Sequence, residues 1–441
     1  MESILIKAAQ FILSLSILIV LHEFGHFLPA KLFKTKVEKF YLFFNPWFSL
    51  FKKKIGETEY GIGWLPLGGY VKIAGMVDES MDTDFKNSEP KPYEFRSKPA
   101  WQRLIIMIGG VTVNVIVAII IYAGILAYYG EEYLPTKNAE YGIVTDALMQ
   151  DLGFQNGDQI VAVNGTPVEN FLQIPMEIIL QQGGEVQVNR AGQRVVIEVP
   201  ETAIKTMIAN PSFIEPRTPY IVNGFHESSL ADEAGLQMGD KLVGLNDKSI
   251  QFFDEFRSEV PKYAGQEVAL AYERDGRVDT AVVPVAENGT IGVIRVTNLS
   301  QIFTLESKTY GMLEAIPAGV QKTYNSLANY LRQFKLIANP ETGAYKSVGG
   351  FLTIGSQFPD TWDWQFFWGF TAFLSIMLAF LNILPIPALD GGHVVFVLYE
   401  MISRRKPNEK VLEYAQIAGF VILIGLMLFA NGNDIIKYIL N

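Results

Sequence analysis

The chain has 441 residues, 49% of them hydrophobic and 19% charged, a balance that describes a membrane protein with sizeable water-exposed parts. A net charge of −10 argues against nucleic acid as a partner. With no cysteine, disulfide scaffolds, thiolate zinc sites and cysteine nucleophiles are excluded.

The first apolar run extends from Ile4 to about Leu21 and continues into His22–Leu28. It lacks a small-residue cleavage site, so we read residues 1–30 as a retained transmembrane helix rather than a signal peptide. The run carries HEFGH at residues 22–26. On a helix, His22 and His26 stand one turn apart on one face, where both rings reach a single metal ion. Glu23 sits beside them, placed to take a proton from water, and the pattern is the zinc-peptidase signature. Only four histidines occur in the chain, so two of them falling around a glutamate at this spacing is hard to attribute to chance.

Residues 31–100 follow. KFYLFFNPWFSLFKKK (39–54) is aromatic and lysine-flanked, as an interfacial hairpin or anchor would be. In YGIGWLPLGGYVKIAG (60–75), the alternation around Gly69 and Tyr70 fits an edge strand. A second span covers 101–130, its apolar run from Leu104 to Tyr129 interrupted only by Asn114 and glycines.

Residues 131–306 contain an internal repeat. GFQNGDQIVAVNG (153–165) and GLQMGDKLVGLND (235–247) match at six of thirteen positions, 82 residues apart. Each copy has a Gly-x-x-Gly-Asp turn entering a strand and an Asn turn leaving it. This phrase resembles the PDZ domain, implying two α+β copies at 131–210 and 211–306. His226, in the second copy, reads as a surface histidine. Residues 307–362 give a surface helix from Met312 to about Leu336 and a linker.

The third span, 363–400, is broken. NILPIPALDGGH (382–393) carries two prolines that interrupt a helix, two glycines that permit close backbone approach, and Asp390, the only formally charged residue from Trp364 to Tyr399. A lone carboxylate at that depth is costly unless paired or metal-bound, which makes Asp390 the choice for a third zinc ligand. His393 is the rival, since imidazole suits zinc equally well. A fourth span at 411–431 and a tail at 432–441 complete the chain.

Residues 31–103 carry 13 Lys+Arg, whereas 131–310 hold 26 Asp+Glu against 13 Lys+Arg. The positive-inside rule then places 31–103 and 400–411 in the cytoplasm, with both termini and the acidic block outside.

Taken together, HEFGH, the tandem repeat and NILPIPALDGG resemble the site-2 protease family of intramembrane zinc proteases, most closely its bacterial regulator-of-sigma-E protease group, over nearly the whole chain. The resemblance implies a polytopic α-helical membrane protein with four transmembrane helices, a membrane-associated β element and two PDZ-like domains. It assigns one Zn2+ to His22, His26 and Asp390, favouring Asp390 over His393, with Glu23 as catalytic base. It implies that Asn382 binds substrate backbone, and that the strand containing Gly69 and Tyr70 holds the unwound substrate by β-addition. The stretch 347–364 departs from the family's pattern, and no functional residue is assigned there.

The expected substrates are single-span membrane proteins, such as anti-sigma factors or remnant signal peptides, first shortened outside by a site-1-type protease and filtered by the PDZ-like pair. The expected location is the bacterial inner membrane. A metal transporter and a non-catalytic PDZ membrane scaffold are the alternatives, but neither needs Glu23 between the two histidines.

Overall fold

A computed structural model describes residues 2–66, 68–76, 89–227 and 229–440. Within the expected β element and cytoplasmic segment, residues 67 and 77–88 lie outside the described residues. The chain divides into two compact units, residues 1–130 with 309–337 and 345–441, and residues 131–308 with 338–344.

The first unit begins with α1 (Glu2–Leu32). Four short strands follow, β1 (Val37–Leu42), β2 (Phe51–Ile55), β3 (Thr58–Ile62) and β4 (Tyr70–Ile73), in the order β2-β3-β1-β4. β1 and β3 run parallel, while β4 pairs with β1, antiparallel, and so forms an edge of the sheet. In the loop between β1 and β2, Trp47 and Phe48 stack on Trp64, which follows β3, and Trp47 is 91% exposed. Helix α2 (Ala100–Tyr129) ends the first part of the unit.

The second unit opens with β5 (Glu131–Tyr133). Its first copy of the repeat comprises β6 (Ile143–Thr145), α3 (Ala147–Asp151), β7 (Gln159–Val163), β8 (Thr166–Pro167), α4 (Ile174–Leu180), β9 (Gly184–Arg190), β10 (Gln193–Val199), α5 (Glu201–Ala209) and β11 (Ile214–Pro216). The second copy comprises β12 (Tyr220–Phe225), α6 (Leu230–Glu233), β13 (Lys241–Leu245), β14 (Lys248–Ser249), α7 (Phe253–Glu259), β15 (Glu267–Arg274), β16 (Arg277–Pro284) and β17 (Val293–Arg295). β18 (Glu306–Lys308) returns to pair with β5. β11 pairs with β6 just as β17 pairs with β12. β11, which pairs with β6, lies just beyond residue 210 and carries no part of the repeated phrase.

The repeated phrase has one chemical purpose, seen twice. Asp158 and Asp240 are both about 1% exposed. Each accepts the backbone N–H three residues before it, from Gln155 and Gln237. Each also accepts two bonds from an arginine on the neighbouring hairpin, Arg190 and Arg274, whose guanidinium donates onward to the carbonyl of Gly153 or Gly235. Asn164 and Asn246, both at positive φ, accept from Glu185 and Ala269 and pin the turn to the next strand.

Burial alone would raise the pKa of Asp240, but the hydrogen bonds from Arg274 and Gln237 outweigh it and hold the carboxyl below its ordinary value. A depressed folded-state pKa contributes stability above the unfolded-state pKa and loses it as pH falls through the folded value. Asp240→Asn is therefore expected to lower the melting temperature of the second copy by roughly 5 °C at pH 7. The gap to wild type should begin to narrow below about pH 4 and close only as pH falls through the lower folded-state value. Hydrogen exchange of β13 and β15 in the intact protein at about pH 7 and about pH 2 measures this, and a gap unchanged with pH refutes it.

The chain then returns to the first unit with α8 (Met312–Ala338), α9 (Phe351–Ser356), α10 (Trp364–Ile383), α11 (Asp390–Ser403) and α12 (Glu409–Ile435). Among the described residues, four helices are long and apolar enough to cross a membrane: Glu2–Leu32, Ala100–Tyr129, Trp364–Ile383 and Lys410–Tyr438. α2 packs against α1, α10 and α11 and is the hub of this unit. Polar contacts also join these helices. Ser375 of α10 donates to the Asn114 carbonyl, Ser14 of α1 bonds Thr371 of α10, and Arg103 of α2 is paired with Glu400 of α11.

Candidate metal centre

Three elements bring the predicted ligands together. α1 presents His22 and His26 one turn apart, as the i, i+4 spacing requires. α10 stops at Ile383 because Pro385 and Pro387 cannot continue it. Ala388 then takes a φ of 87°, uncommon for a residue with a side chain, and turns the chain into α11 with Asp390 in its first turn. Gly391 and Gly392 let that turn fold back tightly, because a Cβ at either would strike the carbonyls of Ile383, Leu384 or Ile386.

The result is a triangle of ligand atoms. His22 Nε2 and His26 Nε2 are 3.3 Å apart, and they lie 3.3 and 3.2 Å from Asp390 Oδ2. Asp390 Oδ2 is buried and accepts no hydrogen bond. Three atoms spaced in this way are corners of a tetrahedron whose centre is about 2.0 Å from each, the bond length of zinc to nitrogen or oxygen. The residues therefore fit zinc in both donor type and spacing, with the fourth corner left for water.

Protonation follows from the surroundings. His26 Nδ1 is 2.8 Å from the Ile106 carbonyl, which can only accept, so Nδ1 carries the hydrogen and Nε2 keeps its lone pair toward the triangle. α2 comes close enough to do this because Gly110 faces both imidazoles, where any Cβ would collide with them. His22 Nδ1 lies 3.2 Å from the side-chain amide of Asn114. Sequence reasoning passed over Ile106, Gly110 and Asn114. A backbone carbonyl leaves no side-chain signal, but the polar Asn114 inside an apolar span was one that could have been read.

Glu23 is buried next to the triangle, its carboxyl within reach of the Val71 backbone N–H on β4. Gly69 lies just before the same strand, against Ile19 and Glu23 of α1. Tyr70 points to the other side, stacked on Tyr41 and Phe44, with its hydroxyl donating to Asn45. Asn382, at the end of α10, holds its amide 3.4 Å from His22 Nε2. His393 falls outside the triangle, with its Nε2 3.4 Å from the Gln416 amide of α12. His226 lies in the second unit, where its backbone N–H donates to the Gly292 carbonyl just past the end of β12.

Comparison with known proteins agrees with this chemistry. The profile of peptidase family M50 matches residues 10–426. A Neisseria meningitidis protein named as a putative zinc metalloprotease is 30% identical over 97% of this chain and 98% of its own. Proteins named regulator of sigma E protease from Haemophilus influenzae and Salmonella typhi are each 28% identical, over 99% and 98% of this chain and 100% and 99% of theirs. A match that spans both the histidine helix and the Asp390 turn leaves one conclusion: this membrane protein belongs to peptidase family M50, the site-2 proteases, and is a metalloprotease.

Proposed function

We propose that the protein is an intramembrane endopeptidase that holds one zinc ion on His22, His26 and Asp390 and cuts the transmembrane segments of single-span proteins. The observation that carries this reading is the ligand triangle set between apolar helices, with sides of 3.2 to 3.3 Å. Zinc bound there supplies Lewis-acid polarisation of the scissile carbonyl and lowers the pKa of water at the open corner to about 7.

The chain's own residues do the rest. Glu23 accepts the proton of the attacking water on its carboxylate and delivers it to the departing amide nitrogen. A helical substrate shields its own carbonyls, so it must be unwound before attack. The edge strand β4, with Gly69 just before it and Tyr70 at its start, offers its outer side to hold the substrate extended by β-addition. Asn382, beside His22, donates its amide to the substrate backbone near the scissile bond.

The two copies of the repeat act as PDZ-like filters that turn away substrates with large outer domains. The domain limits follow the sequence reading. Anti-sigma factors and remnant signal peptides, shortened beforehand by a site-1-type protease, are the substrates this arrangement suits. The charge pattern supports an inner-membrane protein with both termini and the repeats outside.

The test is cleavage of a labelled single-span substrate by the purified protein in lipid vesicles. Chelation should stop the reaction and added zinc restore it. Cleavage by metal-free protein would remove the proposal, and zinc flux without cleavage would favour a transporter.

A further inference from the structure

The side chain of Asn114 is wholly buried, yet its Oδ1 has no hydrogen-bond partner while its Nδ2 faces His22 Nδ1 at 3.2 Å. In that orientation the amide donates to His22 Nδ1. The ring's only hydrogen then falls on Nε2, which points into the triangle where a lone pair is needed. The two ends of a carboxamide have nearly the same shape, so the hydrogen-bond network decides between them. Turning the amide over lets Oδ1 accept from His22 Nδ1–H. That gives the oxygen a partner and frees the Nε2 lone pair for the metal, with the Nδ2 donors taking the position the oxygen held.

We infer that Asn114 is a positioning residue for the metal: its Oδ1 accepts from His22 Nδ1–H and fixes the imidazole in the tautomer that presents Nε2 to zinc. His26 is fixed in the same way by the Ile106 carbonyl, two turns earlier on α2. One helix thus orients both histidines, through positions 106 and 114 on the face that carries Gly110. Ser375 holds the Asn114 backbone by donating to its carbonyl, so the side chain is anchored at its root. Partners of this kind around a ligating histidine are worth roughly 10- to 100-fold in metal affinity.

The inference rests on the zinc reading of the site, and the experiment keeps the two apart. Zinc dissociation constants are measured by chelator competition on the full-length wild type, Asn114→Asp and Asn114→Leu. The Co2+ absorption spectrum of each serves as a second readout, and melting of each metal-free protein checks the fold. Asp keeps an acceptor oxygen and loses the donor, and Leu keeps only the volume. The expected result is affinity within about threefold of wild type for Asp and a roughly 10- to 100-fold loss for Leu, with a weaker, shifted Co2+ spectrum.

Wild-type affinity in a folded Asn114→Leu overturns the inference. An equal loss in Asn114→Asp overturns the acceptor assignment, and this variant decides alone if the Leu protein does not fold. Failure of wild type itself to bind one equivalent of zinc would refute the zinc reading instead.

Discussion

Asp390→Asn is expected to abolish both stoichiometric zinc and proteolysis, whereas His393→Ala should leave both close to wild type. The asymmetry comes from geometry. Asp390 Oδ2 is 3.2 to 3.3 Å from both imidazole nitrogens and has no other polar partner, so its buried charge is compensated either by a cation at the centre or by a proton on those rings, and zinc is the cation the triangle fits. His393, three residues on, faces Gln416 and lies outside the triangle. An amide in place of the carboxylate removes the negative charge and brings an N–H end into a space that requires lone pairs. Zinc content by elemental analysis of the purified variants reads the result. Normal zinc in Asp390→Asn with loss in His393→Ala would exchange the two roles.

Glu23→Gln should separate binding from chemistry. The carboxylate is buried next to the triangle but is not one of its corners. Gln keeps its size and position on α1 and removes its capacity to accept a proton. Zinc content should stay at the wild-type level while the rate of cleavage in vesicles falls by roughly 10²- to 10⁴-fold, the range spanned by positioned acid–base groups. Wild-type turnover in this variant would require another base. Joint loss of zinc and activity would make Glu23 part of the metal's support.

The parts of this site that could be read in the sequence are those in which a side chain advertises its own cost. His22 and His26 show a spacing that only a helix makes meaningful, and Asp390 is a charge alone among apolar residues. The prolines at 385 and 387 likewise announce the end of α10. What stayed hidden depends on pairings between distant segments.

The Ile106 carbonyl is a backbone group with no identity in the sequence, and only its place beside His22 distinguishes Asn114 from any other polar residue in a span. The parallel neighbours β1 and β3 could not be ordered from alternation alone, since register within a small sheet depends on its contacts. In the repeat, the Gly-Asp turns were plain, but the partners of those aspartates, Arg190 and Arg274, lie 32 and 34 residues further on. The closing strand β11 shares no residues with the phrase that identified its copy.

The contacts between α1 and α2 set a mechanical tolerance. Sliding by one residue along its axis moves a helix by about 1.5 Å, enough to break the bond from His26 to Ile106 and to drive the backbone at Gly110 into the imidazoles. Any motion that keeps the metal site intact must therefore carry these two helices as one piece. The freedom needed to admit a substrate has to be found in the parts of the first unit that do not touch the histidine rings.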